Sequence, residues 1–304
     1  MSDAPQPPIE PTHPPIRPTL APEELLAAAD RALRAGIAPA APGDVHVGVD
    51  LGTAYVVVAA VDDRGSPLAV ASRFASVVRD GVVVDFAGAV ALVRELVAEV
   101  EARLGRELVT AATTYPPGVA LSEVRACRYV VEGAGLVCTR LVDEPTAANA
   151  VLQIRDGAVV DIGGGTTGIA VLADGEVVAV EDEATGGTHV SLVIAGHHGI
   201  TLEEAEARKT DPAQQGELLG VVRPVFDKIA TIVARHLDAH EVHTVHVVGG
   251  TAAFPGIEVV LAARTGLTVE VSPHPLLVTP LGVALHDPGG AAAHLHEPLE
   301  VRHG

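Results

Sequence analysis

Short apolar runs alternate with longer stretches of helical periodicity between residues 44 and 287. In the first half, the runs at 45–50, 54–61 and 67–74 are typical of strands. Residues 86–104 carry apolar side chains at three- and four-residue intervals, which predicts an amphipathic helix. The remaining strands predicted in this half lie at 108–113 and 136–142. One further helix is predicted to end near residue 130, and another to span 144–152.

The second half repeats this order of elements. Three strands are predicted within residues 158–180, and strands then alternate with helices. The predicted elements are helices at 190–208 and 217–240, a strand at 244–248, a helix at 255–265, a strand at 268–271 and a last helix near 282–285. Hairpins followed by alternating helices predict an α/β fold of mixed sheets covered by helices. A repeat after about a hundred residues predicts two related halves that face each other.

Both ends of the chain differ from this body. Residues 1–19 contain seven prolines and little that could pack, so we expect them to be disordered. Residues 22–35 then predict a short helix whose apolar face is Leu25, Leu26, Ala29 and Leu33. That helix either packs on its own body, which we favour, or docks into a partner's groove. The segment 289–304 is rich in Ala, Gly, Pro and His and is expected to be loose.

Composition narrows the class of protein. Hydrophobic residues make up 48% of the 304 residues, enough for a sizeable core, although aromatic residues are only 2%. A formal net charge of -19 argues against binding to nucleic acid or to an anionic membrane surface. Two cysteines, no signal-peptide pattern and no long apolar stretch favour a protein of the reducing cytosol that does not enter a membrane.

Each half carries one turn of the same chemistry directly after its first strand. The first reads Asp50-Leu51-Gly52-Thr53-Ala54 and the second Asp161-Ile162-Gly163-Gly164-Gly165-Thr166-Thr167. Glycine lets backbone N–H groups approach phosphate oxygens because no Cβ is in the way, and threonine hydroxyls add donors. A single copy would be an ordinary tight turn. The matched pair predicts a phosphate clamp in which Asp50 and Asp161 hold a hydrated divalent cation.

Glu144 opens the segment Glu144-Pro145-Thr146-Ala147-Ala148, which follows a predicted strand. Proline suits the first turn of a helix, and a carboxylate is favoured there by the helix dipole. Glu144 is therefore either an N-terminal cap or, beside two phosphate turns, a carboxylate that orients an attacking water. The two alanines allow close helix packing across a hinge.

Two weaker patterns lie in the second half. The turn Gly249-Gly250-Thr251 leaves bare backbone against which a base or a ribose can lie. Glu206 and Lys209 are three residues apart on one helical face. Such pairs are usually solvated surface ion pairs, and the alternative is that this one hydrogen-bonds a ribose.

Together, these motifs resemble the five-part signature of the actin/Hsp70/sugar-kinase superfamily. Its phosphate 1, first connecting helix, phosphate 2, adenosine and second connecting helix segments match, in order, residues 50–54, 144–150, 161–167, 249–251 and about 279–285. The resemblance implies a ribonuclease H-like, actin-like ATPase fold with ATP and Mg²⁺ between two lobes. It implies lobes at 44–152 and 153–273 and a helix at 274–287 that returns to the first lobe. Composition adds a Pro-rich tail with a short helix at 1–43 and a flexible tail at 288–304.

A closer likeness is to the EutJ family, Hsp70-like proteins of ethanolamine utilisation. The matching segments are Val77-Val78-Arg79-Asp80-Gly81, Thr113-Thr114-Tyr115-Pro116-Pro117-Gly118, Glu183-Ala184-Thr185-Gly186-Gly187-Thr188-His189, Leu202-Glu203-Glu204-Ala205-Glu206 and Leu277-Val278-Thr279-Pro280-Leu281. This resemblance implies a chaperone or reactivation-type ATPase that serves a protein partner in the cytoplasm, at a bacterial microcompartment. It implies Glu144, Asp50 and Asp161 as catalytic residues. It also implies that Gly186 and Gly187 contact nucleotide, together with the two phosphate turns, Glu206, Lys209 and the adenosine turn.

Departures from the Hsp70 pattern keep two other functions open. No lysine precedes Lys209, so the catalytic lysine of the first Hsp70 lobe has no counterpart here. The stretch after Gly186-Gly187 lacks the acid found in Hsp70, and Pro280-Leu281 stands where many relatives have small residues. Nucleotide binding is therefore a safer expectation than fast hydrolysis. The alternatives are an actin-like scaffold that does not hydrolyse ATP, and a small-molecule kinase, for which no acceptor motif is found.

Overall fold

The computed structural model describes residues 14–39 and 41–290. The expected disorder of residues 1–19 is wrong for residues 14–19, because the N–H of Ile16 donates to the carbonyl of Leu285 at 2.8 Å and that of Thr19 donates to the carbonyl of Arg64 at 3.1 Å. Residues 1–13 and most of the C-terminal tail that was expected to be loose lie outside the described residues. Two five-stranded sheets form the centre of the molecule, and helices cover them, as the pattern predicts. No helix within these two ranges is long and apolar enough to cross a bilayer.

The first sheet has the order β3-β2-β1-β6-β7. Its strands are β1 (His46–Leu51), β2 (Tyr55–Val61), β3 (Pro67–Phe74), β6 (Thr110–Tyr115) and β7 (Val137–Asp143). The first three form antiparallel hairpins, whereas β6 and β7 run parallel to β1. A small hairpin of β4 (Val78–Arg79) and β5 (Val82–Val83) leads to helix α2 (Phe86–Leu104), and α3 (Leu121–Gly133) lies between β6 and β7. This sheet and the helices on it are called the first lobe.

The second sheet repeats the same topology. Its strands are β8 (Gly157–Ile162), β9 (Thr167–Ala173), β10 (Glu176–Glu183), β11 (Thr244–Val248) and β12 (Thr268–Val271), in the order β10-β9-β8-β11-β12. Again three strands form hairpins and two more run parallel to the first of them. The internal repeat predicted from the two matched turns is thus confirmed. This sheet and its covering helices are called the second lobe.

The helices of the second lobe differ from the prediction in number and length. The single helix predicted at 190–208 is two helices, α5 (Gly187–His198) and α6 (Leu202–Thr210). Gly199 ends α5 in the left-handed region, at a φ of 66°. A capping box between Thr201 and Glu204 then starts α6. The following helix, α7 (Pro212–Leu237), begins five residues earlier than predicted because Asp211 caps it. Helix α8 (Ile257–Thr265) completes this layer.

Two short helices connect the lobes. Helix α4 (Glu144–Leu152) follows β7 of the first lobe and packs against β8 and β9 of the second, whereas α9 (Val278–His286) leaves the second lobe and packs on β1 and β2. They cross where Gly282 touches the backbone of Ala147, with no space for a Cβ. The small residues predicted to allow close packing at a hinge therefore lie at this crossing.

The N-terminal helix α1 (Pro22–Arg34) packs on its own body. Leu25 and Leu26 are each 1% exposed, and Ala29 is fully buried. Helix α1 lies against β3 and shares a core with β2, α4 and α9. Ala32 adds to the predicted buried face, and the predicted Leu33 is partly buried against the same core. The favoured interpretation is confirmed, and the apolar face of α1 is not free to dock elsewhere.

Removing one anchor of α1 is expected to destabilise the protein. Leu26→Ala should lower the free energy of unfolding by about 2–4 kcal/mol, because the truncated side chain leaves a cavity beneath the helix. Urea denaturation followed by circular dichroism measures the change. Glu24→Ala, at an exposed position of the same helix, is the matched control. Equal stability of Leu26→Ala and the wild type would show that α1 is detached from the body in solution.

Candidate nucleotide site between the lobes

Carboxylates from both lobes meet where the two sheets face each other. Asp50 lies near the end of β1, and Asp161 lies near the end of β8. Thr114 Oγ1 donates a 3.0 Å hydrogen bond to Asp50 Oδ1, and Thr279 Oγ1 donates one of 2.9 Å to Asp161 Oδ2. The matched strands thus place the two predicted aspartates on either side of one cleft, each oriented by a threonine.

Glu144 is the first residue of α4 but not its cap. The capping hydrogen bond comes from the neighbouring residue, since Asp143 Oδ1 accepts from the backbone N–H of Thr146 at 3.0 Å. The interpretation of Glu144 as an N-terminal cap is therefore wrong. Because Asp143 satisfies the helix end, the Glu144 carboxylate remains for another role.

Each of these carboxylates disfavours the ionisation of its neighbours. Burial, and then the charge of Asp161, raise the pKa of Asp50 to about 7. Burial raises the pKa of Asp161 to about 6. The pKa of Glu144 is raised too, first by burial and then by Asp161 and Asp50. Several desolvated acids at one place form a site of strong negative potential, which a divalent cation with oxygen ligands would relieve.

A fourth acid, Asp182, was missed at the level of sequence. It lies on β10 and pairs with Gly168 of β9, which is the first residue after the second phosphate turn. Asp182 Oδ1 is buried with no hydrogen-bond partner in the described structure. Burial raises its pKa, and a hydrogen bond from Thr166 opposes that shift. Only the strand register brings Asp182 to the site, so no local motif marks it.

These acids fit a hydrated Mg²⁺ better than a directly ligated ion. Carboxylate oxygens are hard donors of the kind Mg²⁺ prefers, and this ion keeps several of its water ligands in proteins. An orphaned buried oxygen on Asp182 is available to such a water. Within residues 14–39 and 41–290, no three acid, His or Cys side chains are placed to ligate one ion directly. The Mg²⁺ site at Asp50 and Asp161 stays a prediction.

The two phosphate turns touch each other in this structure. A Cβ on Gly164 would lie 2.7 Å from the backbone nitrogen of Ala54, and one on Gly165 would lie 2.7 Å from Thr53 Oγ1. Both distances are shorter than real Cβ contacts, so only glycine fits at these positions. Since the turns meet without a gap, the lobes must separate before a triphosphate can lie between them.

Three groups predicted to contact nucleotide are instead used inside the protein. Thr167 is fully buried, and its hydroxyl donates a 2.6 Å hydrogen bond to the carbonyl of Thr185. The N–H of Gly187 donates to the carbonyl of Gly163 at 2.9 Å, and the N–H of Gly186 faces His189 Nδ1 at 3.3 Å. Thr167, Gly186 and Gly187 thus brace the second phosphate turn from behind. Gly52, Gly163 and Thr166 lie in the phosphate turns themselves.

The predicted adenosine turn lies beside the second phosphate turn. Gly249 has a φ of 88°, and a Cβ there would collide with Asp161 Oδ1. Gly250 then begins a short 3₁₀ turn, and Thr251 Oγ1 donates to the carbonyl of Gly163 at 2.8 Å. The structure therefore brings Gly249, Gly250 and Thr251 to the same cleft as the aspartates.

The Glu206–Lys209 pair is buried, so its interpretation as a solvated surface pair is wrong. Both side chains are 6% exposed, and Lys209 Nζ lies 2.6 Å from Glu206 Oε2. Ser191 Oγ donates a second 2.6 Å hydrogen bond to that oxygen, whereas Glu206 Oε1 is buried with no hydrogen-bond partner among the described residues. Burial, and then the Glu206 carboxylate, raise the pKa of Tyr55 to about 12. The pair thus faces a first-lobe tyrosine across the cleft.

A cavity of about 600 Å³ opens between the lobes beside the acids. Its walls include Tyr115 and Pro117 of the first lobe, Thr146 of α4, and Val180 and Asp182 of the second lobe. The cavity brings solvent to the amino end of α4, where Glu144 lies. Asp143, which caps α4, lines this cavity, whereas the Glu144 side chain is not part of its wall.

Comparison with known sequences identifies relatives over most of the chain. The ethanolamine utilization protein EutJ of Salmonella typhimurium is 46% identical over 239 residues, which cover 78% of this chain and 84% of that protein. A chaperone protein HscA homolog of Pseudomonas aeruginosa is 36% identical over 141 residues, or 43% of this chain and 22% of that protein. The profile of the type IV pilus assembly protein PilM family matches residues 128–276.

Solved structures give the same result. The crystal structure of EutJ from Carboxydothermus hydrogenoformans has a TM-score of 0.83 at 49% identity, covering 87% of this chain and 98% of that one. MreB5 of Spiroplasma citri, bound to AMPPNP, has a TM-score of 0.63 at 18% identity and covers 79% of this chain and 95% of its own. The second likeness concerns the fold alone, and it confirms the predicted actin-like ATPase architecture. With 46% identity over most of both chains, the protein belongs to the EutJ family of ethanolamine utilization proteins.

Proposed function

We propose that the protein binds ATP with Mg²⁺ between its lobes, hydrolyses it slowly, and uses the resulting lobe movement to act on a protein partner in ethanolamine utilisation. The observation that carries this proposal is the duplicated turn. Two Asp/Gly/Thr turns face each other, with Asp50 and Glu144 on one side of the cleft and Asp161 and Asp182 on the other. Such an arrangement is suited to a polyanion that arrives with a divalent cation.

The chain's own residues have distinct tasks in this proposal. Backbone N–H groups of the two turns and the hydroxyls of Thr53 and Thr166 bind phosphate oxygens. Glu206 and Lys209, with the turn at residues 249–251, bind the nucleoside. Asp50 and Asp161, joined by Asp182, hold the waters of the bound cation, and Mg²⁺ supplies charge neutralisation on the phosphates.

Glu144 is proposed to orient the attacking water and to accept its proton. Burial and the charges of Asp161 and Asp50 raise the pKa of Glu144, which makes this carboxylate a stronger base than an exposed one. Its place at the amino end of α4 connects this chemistry to the hinge, because α4 crosses α9 at Gly282. A change of charge at Glu144 therefore acts directly on the pair of helices that joins the lobes.

The partner and location follow from the family name and not from the geometry. We infer a protein client or microcompartment component, such as an ammonia-lyase or an aldehyde dehydrogenase, and a cytoplasmic site of action. Closure of the lobes on ATP and reopening after hydrolysis would be the mechanical signal passed to it.

A scaffold that binds ATP without useful turnover is the second candidate. It is favoured by one observation: Lys209, the lysine nearest the phosphate turns, is buried against Glu206. A nucleotide-dependent polymer detected by sedimentation, without phosphate release, would favour the scaffold over the ATPase. Phosphate release stimulated by a client would favour the ATPase.

Binding is tested by thermal stabilisation. A ligand present at 100 times its Kd stabilises the native state by about 2.7 kcal/mol, so Mg–ATP should raise the melting temperature of the wild type. Asp161→Asn keeps an oxygen acceptor for Thr279 but loses the charge, and we expect it to show no Mg–ATP-dependent shift. Asp238→Asn, at an exposed position after α7, is the control and should respond like the wild type. An unchanged shift in Asp161→Asn would overturn the assignment of the cleft.

A further inference from the structure

The cleft carries more negative charge than one divalent cation can offset. Four carboxylates lie there, and bound ATP would add a triphosphate. Lys209 does not balance this charge, since its ammonium group is 2.6 Å from Glu206 and 3.4 Å from the carbonyl of Gly187. A further cation near the second phosphate turn is therefore needed for tight binding of ATP.

The β4–β5 hairpin brings the first lobe to the second phosphate turn. A Cβ on Gly165 would lie 2.9 Å from Asp80 Oδ1 and 3.0 Å from the backbone nitrogen of Asp80. Asp80 forms the hairpin tip at a φ of 48°, in the left-handed region. On its other side the hairpin rests on the turn after β6, because a Cβ on Gly81 would lie 2.7 Å from Pro116. Contacts on both sides fix the position of this hairpin.

Arg79 immediately precedes that tip. Its neighbour Val78 is 3% exposed and belongs to the core of the first lobe. Because side chains alternate along a strand, Arg79 points away from this core, and it is exposed. Within the described residues, Arg79 makes no ion pair, in contrast to Arg73, which binds Glu95 and Glu99.

We propose that Arg79 is the cation that the first lobe supplies to the γ-phosphate of bound ATP. This inference rests on the proposed function and adds a residue to the same site. The guanidinium group is always charged and binds phosphate oxygens through two parallel N–H donors. The hairpin tip touches Gly165 while the lobes are together, so Arg79 reaches the terminal phosphate when the lobes, having separated to admit ATP, close again around it. Arg79 thus distinguishes ATP from ADP and takes the electrostatic place of a first-lobe lysine.

Isothermal titration calorimetry with Mg–ATP and with Mg–ADP tests the role of Arg79. A charge-assisted hydrogen bond contributes about 1.5–3 kcal/mol, so Arg79→Ala should weaken ATP binding by about 10- to 100-fold. ADP binding should change by less than about 3-fold, because the contact is to the phosphate that ADP lacks. Arg79→Lys keeps the positive charge but not the two parallel N–H donors, so its ATP affinity should lie between those of the wild type and Arg79→Ala. Arg264→Ala, an exposed arginine on α8, is the matched control and should bind both nucleotides like the wild type.

Each outcome separates this inference from the proposed function. A wild type that binds neither nucleotide overturns both. A wild type that binds ATP while Arg79→Ala binds it equally well overturns the role of Arg79 alone. Equal losses for ATP and ADP also overturn it, because the contact would then not be to the γ-phosphate. The melting temperature of nucleotide-free Arg79→Ala should equal that of the wild type, since the side chain is exposed.

Discussion

Glu144→Gln is expected to lose ATP hydrolysis by roughly 10²-fold or more while retaining ATP affinity. Glutamine keeps the size of the side chain and one oxygen but cannot accept a proton from water. The cap of α4 should survive, because Asp143 and not Glu144 supplies it. Burial and the charges of Asp161 and Asp50 raise the pKa of Glu144, so removing its charge should not weaken the binding of a polyanion.

Single-turnover phosphate release measures the rate of hydrolysis, and calorimetry measures ATP affinity. Both are measured with and without a candidate client. Glu23→Gln, an exposed first-turn glutamate of α1, is the matched control and should hydrolyse ATP like the wild type. Equal rates for Glu144→Gln and the wild type would remove Glu144 from the mechanism. A wild type with no turnover even with a client would replace the ATPase by the scaffold.

The fold could be predicted from the sequence because its signals are local. Gly/Thr turns, β-branched runs and helical spacing each lie within about ten residues, which suffices to read hairpins and helices in order. The split between α5 and α6 was missed although its signals are local too. Gly199 ends one helix, and Thr201 with Glu204 begins the next, so closer attention to capping residues would have found it.

The site was only partly predictable because burial and strand register are not local. Asp182 reaches the acid cluster through the pairing of β10 with β9. Thr167, in a turn that reads as a phosphate clamp, directs its hydroxyl to Thr185 instead. Glu206 and Lys209 have the spacing of a surface pair, yet the packing of α6 buries both. In each case the residue type was visible in the sequence, but its surroundings depend on distant segments.

Asp50→Asn is expected to stabilise the nucleotide-free protein at pH 8 and to abolish its response to Mg–ATP. The pKa of Asp50 is raised from 3.8 to about 7 by burial and by Asp161. Between these values the unfolded chain releases its proton while the folded chain retains it, so stability falls as the pH rises through this window. Above pH 7 the folded protein carries the full cost of the buried charge. Asparagine has no such charge and should raise the free energy of unfolding at pH 8 by about 2 kcal/mol, allowing for partial exposure of the site.

Urea denaturation at pH 5 and pH 8, with and without Mg–ATP, measures both effects. The wild type should be less stable than Asp50→Asn at pH 8, and the difference should be smaller at pH 5, where the folded protein keeps Asp50 protonated and only the unfolded chain is ionised. Asp238→Asn, exposed and outside the cleft, should match the wild type throughout. A destabilised Asp50→Asn at pH 8 would show that Thr114 and its surroundings already compensate the charge. If Asp50→Asn is more stable and no longer responds to Mg–ATP, the Asp50 carboxylate lowers the stability of the nucleotide-free protein but is needed to bind the cation. A binding site requires such a carboxylate, whereas a structural core does not.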